Sequence, residues 1–149
     1  MHQDLKPPNV LFSADRTQVK LCDFGVSNKV EQTRVTCAAR AGSIRFMPPE
    51  QLDEQLNTKI DVWALGCILL QMITGKLPFS GLVNDFKIMT EACTRGPLEY
   101  AMKNYMKDFE SNEAYAKSES IRDFLACCLK LDYNQRPSSQ ELLEHRFLL

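Results

Sequence analysis

Between Lys59 and Thr74 the chain reads KIDVWALGCILLQMIT, apolar on nearly every face of a helix. A helix without a polar side has no place on a surface, so the remaining elements must wrap around it. With 149 residues, 44% of them hydrophobic, the chain is large enough for one domain to do so. Asp61 is the odd residue in this run. As a first-turn acid it suits the helix dipole. A carboxylate entering a buried helix must nevertheless accept hydrogen bonds, which makes it an anchor for another segment's backbone.

The wrapping elements are short. Val10 to Ser13 and Gln18 to Cys22 are β-prone runs around the polar turn Ala14-Asp15-Arg16-Thr17, which predicts a small hairpin. Residues 24 to 49 show no period and carry Lys29, Arg34, Arg40 and Arg45 against Glu31, a net +3 that reads as a long basic loop. Helices are expected from about Val83 to Cys93, from Gly96-Pro97 along the stripe Leu98, Ala101, Tyr105 and Phe109, and through Ile121, Phe124, Leu125, Cys128 and Leu129. A polar stretch from Glu110 to Lys117 separates the last two. Ser138 and Glu141 form a capping box for a final helix. The fold class is mainly α with a small β-hairpin.

Several chemistries are excluded by spacing. The glycines at 25, 42, 66, 75, 81 and 96 offer neither a G-x-G-x-x-G loop nor a Walker A loop. Histidines occur only at 2 and 145, and the six cysteines contain no C-x-x-C pair, so recognised zinc spacings are missing. The thiols read as free, mostly buried and intracellular. A net charge of −1 argues against nucleic-acid or membrane partners recruited by bulk charge, and the longest apolar run, Val62 to Leu70, is too short to span a bilayer.

The chemistry concentrates near the start. In MHQDLKPPN, Pro7-Pro8 bars regular helix and holds Asp4, Lys6 and Asn9 on a loop. Asp23-Phe24-Gly25 follows the hairpin, which returns the Asp23 carboxylate to the end of the strands where Asn9 lies. One carboxylate with one amide oxygen is a sparse hard-oxygen site that suits Mg²⁺ sharing its ligands with phosphates and water.

HQDLKPPN, DFG, GSIRFMPPE, DVWALG and NQRP, in this order across essentially the whole chain, resemble the C-terminal lobe of a eukaryotic protein kinase, whose catalytic loop reads H-R-D-L-x-x-x-N. The resemblance implies a partial kinase fold over residues 1–149 and phosphoryl transfer from ATP, with Mg²⁺, to protein substrates. It makes Asp4 the catalytic base and Lys6 the cation beside the transferring phosphoryl group. Asn9 and Asp23 become the magnesium ligands, and Leu11 the residue under the adenine ring. His2 would stack on Phe24, Asp61 would bond the catalytic loop's backbone, and Glu50 would pair with Arg136 in a structural ion pair. Lys6 and Ser43 resemble the serine/threonine rather than the tyrosine branch.

Departures from the pattern carry expectations of their own. Gln3 replaces the family's usual Arg, so phosphorylation at Thr33, Thr36 or Ser43 is expected to activate little. Arg40 and Arg45 have two readings, a selector of acidic residues near the target or a solvated charge run. Cys22 is either a reactive thiol at the nucleotide pocket or an inert one. The family's β-rich lobe, with its glycine loop and phosphate-binding lysine, is expected to be absent, leaving an apolar groove beside residues 59 to 74 and little activity in the chain alone. The competing function is a non-catalytic, pseudokinase-like interaction module. Cytoplasm and nucleus are both compatible with the sequence.

Overall fold

The apolar run is a helix. In the computed structural model, which describes residues 1–27, 43–52 and 57–149, α2 spans Ile60–Thr74 and stops where Gly75, at φ 67°, returns its N–H to the Gln71 carbonyl. The other elements, in chain order, are β1 (Val10–Phe12), β2 (Val19–Leu21), α1 (Pro49–Leu52), α3 (Asp85–Thr94), α4 (Gly96–Ser111), α5 (Glu113–Lys117), α6 (Glu119–Cys128) and α7 (Ser139–Leu142). Short 3-10 turns add Pro7–Asn9, Phe24–Val26, Ser43–Phe46 and Tyr133–Gln135. The architecture is mainly helical, with one two-stranded antiparallel sheet pairing Val10 with Leu21, Leu11 with Lys20 and Phe12 with Val19.

Apolar side chains divide into two clusters. The larger surrounds α2, where Trp63, Cys67 and Leu70 are enclosed by Ala101 and Phe109 of α4 and by Phe124, Leu125 and Cys128 of α6. Gly66 lets α6 come close, since a Cβ there would stand 2.8 Å from both Cys128 Cβ and a Leu129 methyl carbon. Burial drives the Cys128 thiol up to about 12 from its usual 9.0, and drives the Cys67 thiol upward as well. The smaller cluster joins Ile44, Phe79, Ile88, Ala92 and Tyr100, drawn from the Ser43–Phe46 turn, the loop after α2, α3 and α4.

Beneath the main core lies a buried ion pair. Arg136 donates from Nη1 to Glu50 Oε1 (2.6 Å) and from Nη2 to Glu50 Oε2 (3.2 Å), and its other bonds go to the Lys59 and Lys130 carbonyls. The guanidinium stands 5.0 Å from the Trp63 ring centroid. A charge this deep persists because its donors are met, so removing either partner costs far more than the intact pair contributes.

Several expectations need correction. Leu65 and Met72 lie on one stripe of α2 and are exposed, so that helix is not enclosed on every side. The third helix begins at Asp85, because the Asn84 side chain accepts the Lys87 N–H and caps it there. The polar stretch from Glu110 is helical: α4 runs to Ser111, and Asn112 caps α5 by accepting the Tyr115 N–H. Within α4, Tyr105 has φ −142° and ψ 44°, a kink that the side-chain stripe does not announce. Of the described thiols only Cys67 and Cys128 are buried, while Cys93 is exposed. The described ends of the expected basic loop form 3-10 turns, and its middle, including Lys29, Thr33, Arg34, Thr36 and Arg40, lies outside the described residues. No helix among the described residues is long and apolar enough to cross a membrane.

Candidate active site

Asp61, half-buried at the start of α2, does what a first-turn acid beside a core must. Its two carboxylate oxygens accept the His2 N–H (2.7 Å) and the Gln3 N–H (2.9 Å), fastening the opening loop to the start of α2. Hydrogen bonds to a charged group contribute roughly 1.5–3 kcal/mol each, and these two act on adjacent residues. Gln3 takes φ 69° between them, a left-handed conformation that a non-glycine residue holds only where its surroundings impose it. The loop therefore reaches Asp4 with its backbone direction fixed.

His2 connects this loop to the turn after the hairpin. Its Nδ1 accepts the Asp4 N–H (3.4 Å) and its Nε2 lies 2.9 Å from the Cys22 carbonyl, which places the ring proton on Nε2. The His2 and Phe24 rings are 4.7 Å apart, and the Ser27 hydroxyl donates to the His2 carbonyl. Asp23 thus lies between two residues that both touch His2. Its φ of 60° makes the sharp turn. From the hairpin side, the Cys22 N–H donates to the Asn9 carbonyl (3.0 Å), bringing the base of the same turn to Asn9.

Asp4, Lys6, Asn9 and Ser43 form one hydrogen-bonded group. Lys6 Nζ donates to Asp4 Oδ2 (2.8 Å) and to Ser43 Oγ (2.9 Å). Asn9 Nδ2 donates to the Asp4 carbonyl (2.8 Å) and approaches Asp4 Oδ2 (3.4 Å). With its nitrogen engaged, the Asn9 amide presents its oxygen as the remaining donor atom for a cation. Asp4 and Asn9 are buried while Lys6 is half-buried, so the carboxylate is held in place by its neighbours. A small cavity of about 10 Å³, room for little more than one water, adjoins the group and is lined by Gln3, Asp4, Ser43, Gln51, Asp61 and Ala64 among others. Leu11 stands half exposed on β1, beside exposed Phe12, Val19 and Leu21.

Gln3 and Arg45 each have a definite environment here, and the second changes its sequence reading. Gln3 is 8% exposed, yet among the described residues neither its amide oxygen nor its nitrogen has a hydrogen-bond partner. A neutral amide tolerates that position at a cost, whereas an arginine there would require a counter-ion. Arg45 is neither a free selector of acids nor a solvated charge. Its Nη1 donates to the Pro78 (2.8 Å) and Phe79 (2.9 Å) carbonyls and its Nη2 to that of Leu82.

Elsewhere, Asp123, Cys127 and His145 bring one ligand atom each within 4.8 Å of one another. That trio is already engaged. His145 Nδ1 accepts the Phe147 N–H, its Nε2 faces Asp123, and Asp123 also faces Arg146.

A loop acid tied to a buried helix, a second acid on a tight turn after a hairpin and a buried Glu-Arg pair define a protein-kinase-type C-terminal lobe. The protein kinase domain family model matches residues 1–148, and the chain belongs to that family. It is 32% identical over 99% of its length to the human dual specificity mitogen-activated protein kinase kinase 7, of which it covers 34%. Similar identity, 32%, links it to the Drosophila melanogaster dual specificity mitogen-activated protein kinase kinase hemipterous over 99% of the chain and 12% of that protein. The Arabidopsis thaliana serine/threonine-protein kinase PEPKR2 is also 32% identical, over the whole chain and 29% of its own length. The chain therefore spans about a third or less of each of these relatives.

Proposed function

We propose that these residues are the catalytic half of a serine/threonine protein kinase that moves the γ-phosphoryl group of ATP to a hydroxyl on a protein. Asp4 is the base: its carboxylate takes the proton of the acceptor alcohol as the new oxygen–phosphorus bond forms and the bond to the β-phosphate oxygen breaks, releasing ADP. Lys6, already at Asp4 Oδ2, places a positive charge beside the oxygens that gain negative charge. Ser43 holds Lys6 from the far side. Asn9 and Asp23 offer an amide oxygen and a carboxylate, a hard donor set that fits Mg²⁺, and Leu11 offers apolar surface to the adenine. When bound, the ion supplies neutralisation of the phosphate charge.

The observation that supports this reading best is the fixation of Asp4 by its neighbours' bonds to Asp61, together with the Lys6 contact. Because the 149 residues contain no phosphate-cradling glycine loop, this chain on its own is expected to bind ATP weakly and to turn over negligibly. Phosphoryl transfer from labelled ATP to serine and threonine is to be measured in the complete natural protein carrying these residues. Activity that falls by about a thousandfold or more in Asp4→Asn supports the reading. An Asp4→Asn protein as active as the unaltered one would contradict it, and an unaltered protein without transfer would favour an interaction module. With Gln3 in place of a cation, Thr33→Ala and Thr36→Ala are expected to leave that activity within about twofold.

A further inference from the structure

The candidate site is assembled across a seam between the two apolar clusters. Asp4 is secured to α2 through Asp61, but Ser43 belongs to the Ser43–Phe46 turn, which is secured elsewhere. Ile44 packs into the smaller cluster with Phe79 and Tyr100. Arg45 spreads its guanidinium over three carbonyls of residues 78–82, a planar fork that fixes the turn's rotation as well as its position. The clamped loop is itself rigid. Phe79 is fully buried at φ 55°, and the Tyr100 and Tyr105 hydroxyls both donate to the Ser80 carbonyl. Two residues apart on a four-residue 3-10 turn, Ser43 and Arg45 leave the backbone in different directions, so one turn serves both sides of the seam.

We propose that Arg45 is a positioning residue for the candidate active site: by clamping the Ser43–Phe46 turn to residues 78–82, it holds the Ser43 hydroxyl where Lys6 Nζ reaches it, and thereby restrains Lys6 at Asp4. This rests on reading Lys6 and Asp4 as site residues. Arg45 touches neither of them, and its influence passes through Ser43. Loss of the clamp frees the turn to move and leaves Lys6 with Asp4 as its remaining partner among the described residues.

The test is the rate at which Lys6 is acylated by an N-hydroxysuccinimide ester in the 149-residue chain without nucleotide, read by peptide mass spectrometry. Arg45→Met is expected to raise that rate about threefold, as loss of one hydrogen bond would, and Ser43→Ala by a similar factor. Arg45→Lys should fall between Arg45→Met and the unaltered chain, because it keeps the charge and loses the fork. In the Ser43→Ala background Arg45→Met should have no further effect. An unchanged Lys6 rate in Arg45→Met, or an equal threefold factor in both backgrounds, overturns the proposal. The near-ultraviolet signal of buried Trp63 reports whether each variant is folded, and if Arg45→Met is not, the same comparison in Arg45→Lys decides. Since no phosphoryl transfer is measured, failure here is distinct from failure of the kinase reading.

Discussion

The cluster around α2 and the cluster around Phe79 perform different work. The first is large, contains the buried Glu50–Arg136 pair and the enclosed Trp63, and anchors the acid loop through a single carboxylate. The second has five buried members and is tied together by polar side chains on backbone carbonyls: Arg45 on residues 78, 79 and 82, and two tyrosines on residue 80. Lys6 bridges them, with Asp4 on one side and Ser43 on the other. Apolar burial around one enclosed ion pair fixes the larger unit, whereas the smaller one is held by side-chain bonds to backbone carbonyls, and the candidate site depends on both.

The largest effect should come from the pair beneath the main core. Glu50→Ala leaves the Arg136 guanidinium buried without its counter-ion and is expected to lower stability by about 3–5 kcal/mol in urea unfolding. A loss under 1 kcal/mol would mean that the main core does not depend on the pair. Gly66→Ala follows, since a methyl 2.8 Å from Cys128 and Leu129 must push α6 from α2 at about 1–3 kcal/mol.

Phe79→Ala separates the two units. Hydrogen exchange should rise at residues 43–46 and 85–94 well before it rises along α2, and equal increases in both regions would make the clusters one cooperative body.

The main core should also show its own pH dependence. Cys67 and Cys128 have raised thiol values, so the folded state keeps protons that the unfolded chain releases near 9. Above that value the unfolded state binds fewer protons than the native one, and stability falls as pH rises. The melting temperature should be level between pH 6 and 8 and decline from about 9 toward 12, with a shallower decline in Cys128→Ala. The smallest effect belongs to Gln3. Replacing its buried amide, which has no partner among the described residues, by methionine should raise stability by about 1 kcal/mol, and a comparable loss would reveal a partner for that amide.

What the sequence made legible was local or carried by family resemblance. Asp61 stood out because a carboxylate in an apolar helix has to be satisfied, and the capping box at Ser138 and Glu141 is formed. Glu50 and Arg136 met as the resemblance implied, although 86 residues separate them. Arg45 was misread because its acceptors lie 33 to 37 residues downstream, on a loop whose carbonyl directions leave no mark in the sequence. The kink at Tyr105 was equally hidden, since a stripe of apolar residues looks the same across a break. Exposure of Leu65 and Met72 reflects which side of α2 the other elements cover, a property of the assembled molecule.

The central claim is that Asp4, Asn9 and Asp23 surround one spot. Paramagnetic broadening of backbone amide signals by Mn²⁺ with ADP, titrated into the 149-residue chain, tests this directly. The account predicts that Asp4, Asn9 and Asp23 broaden together at the same concentration, and that Asp23→Asn weakens the effect at all three. Broadening centred on Asp123 and His145, or at Asp23 with Asp4 and Asn9 untouched, would contradict it.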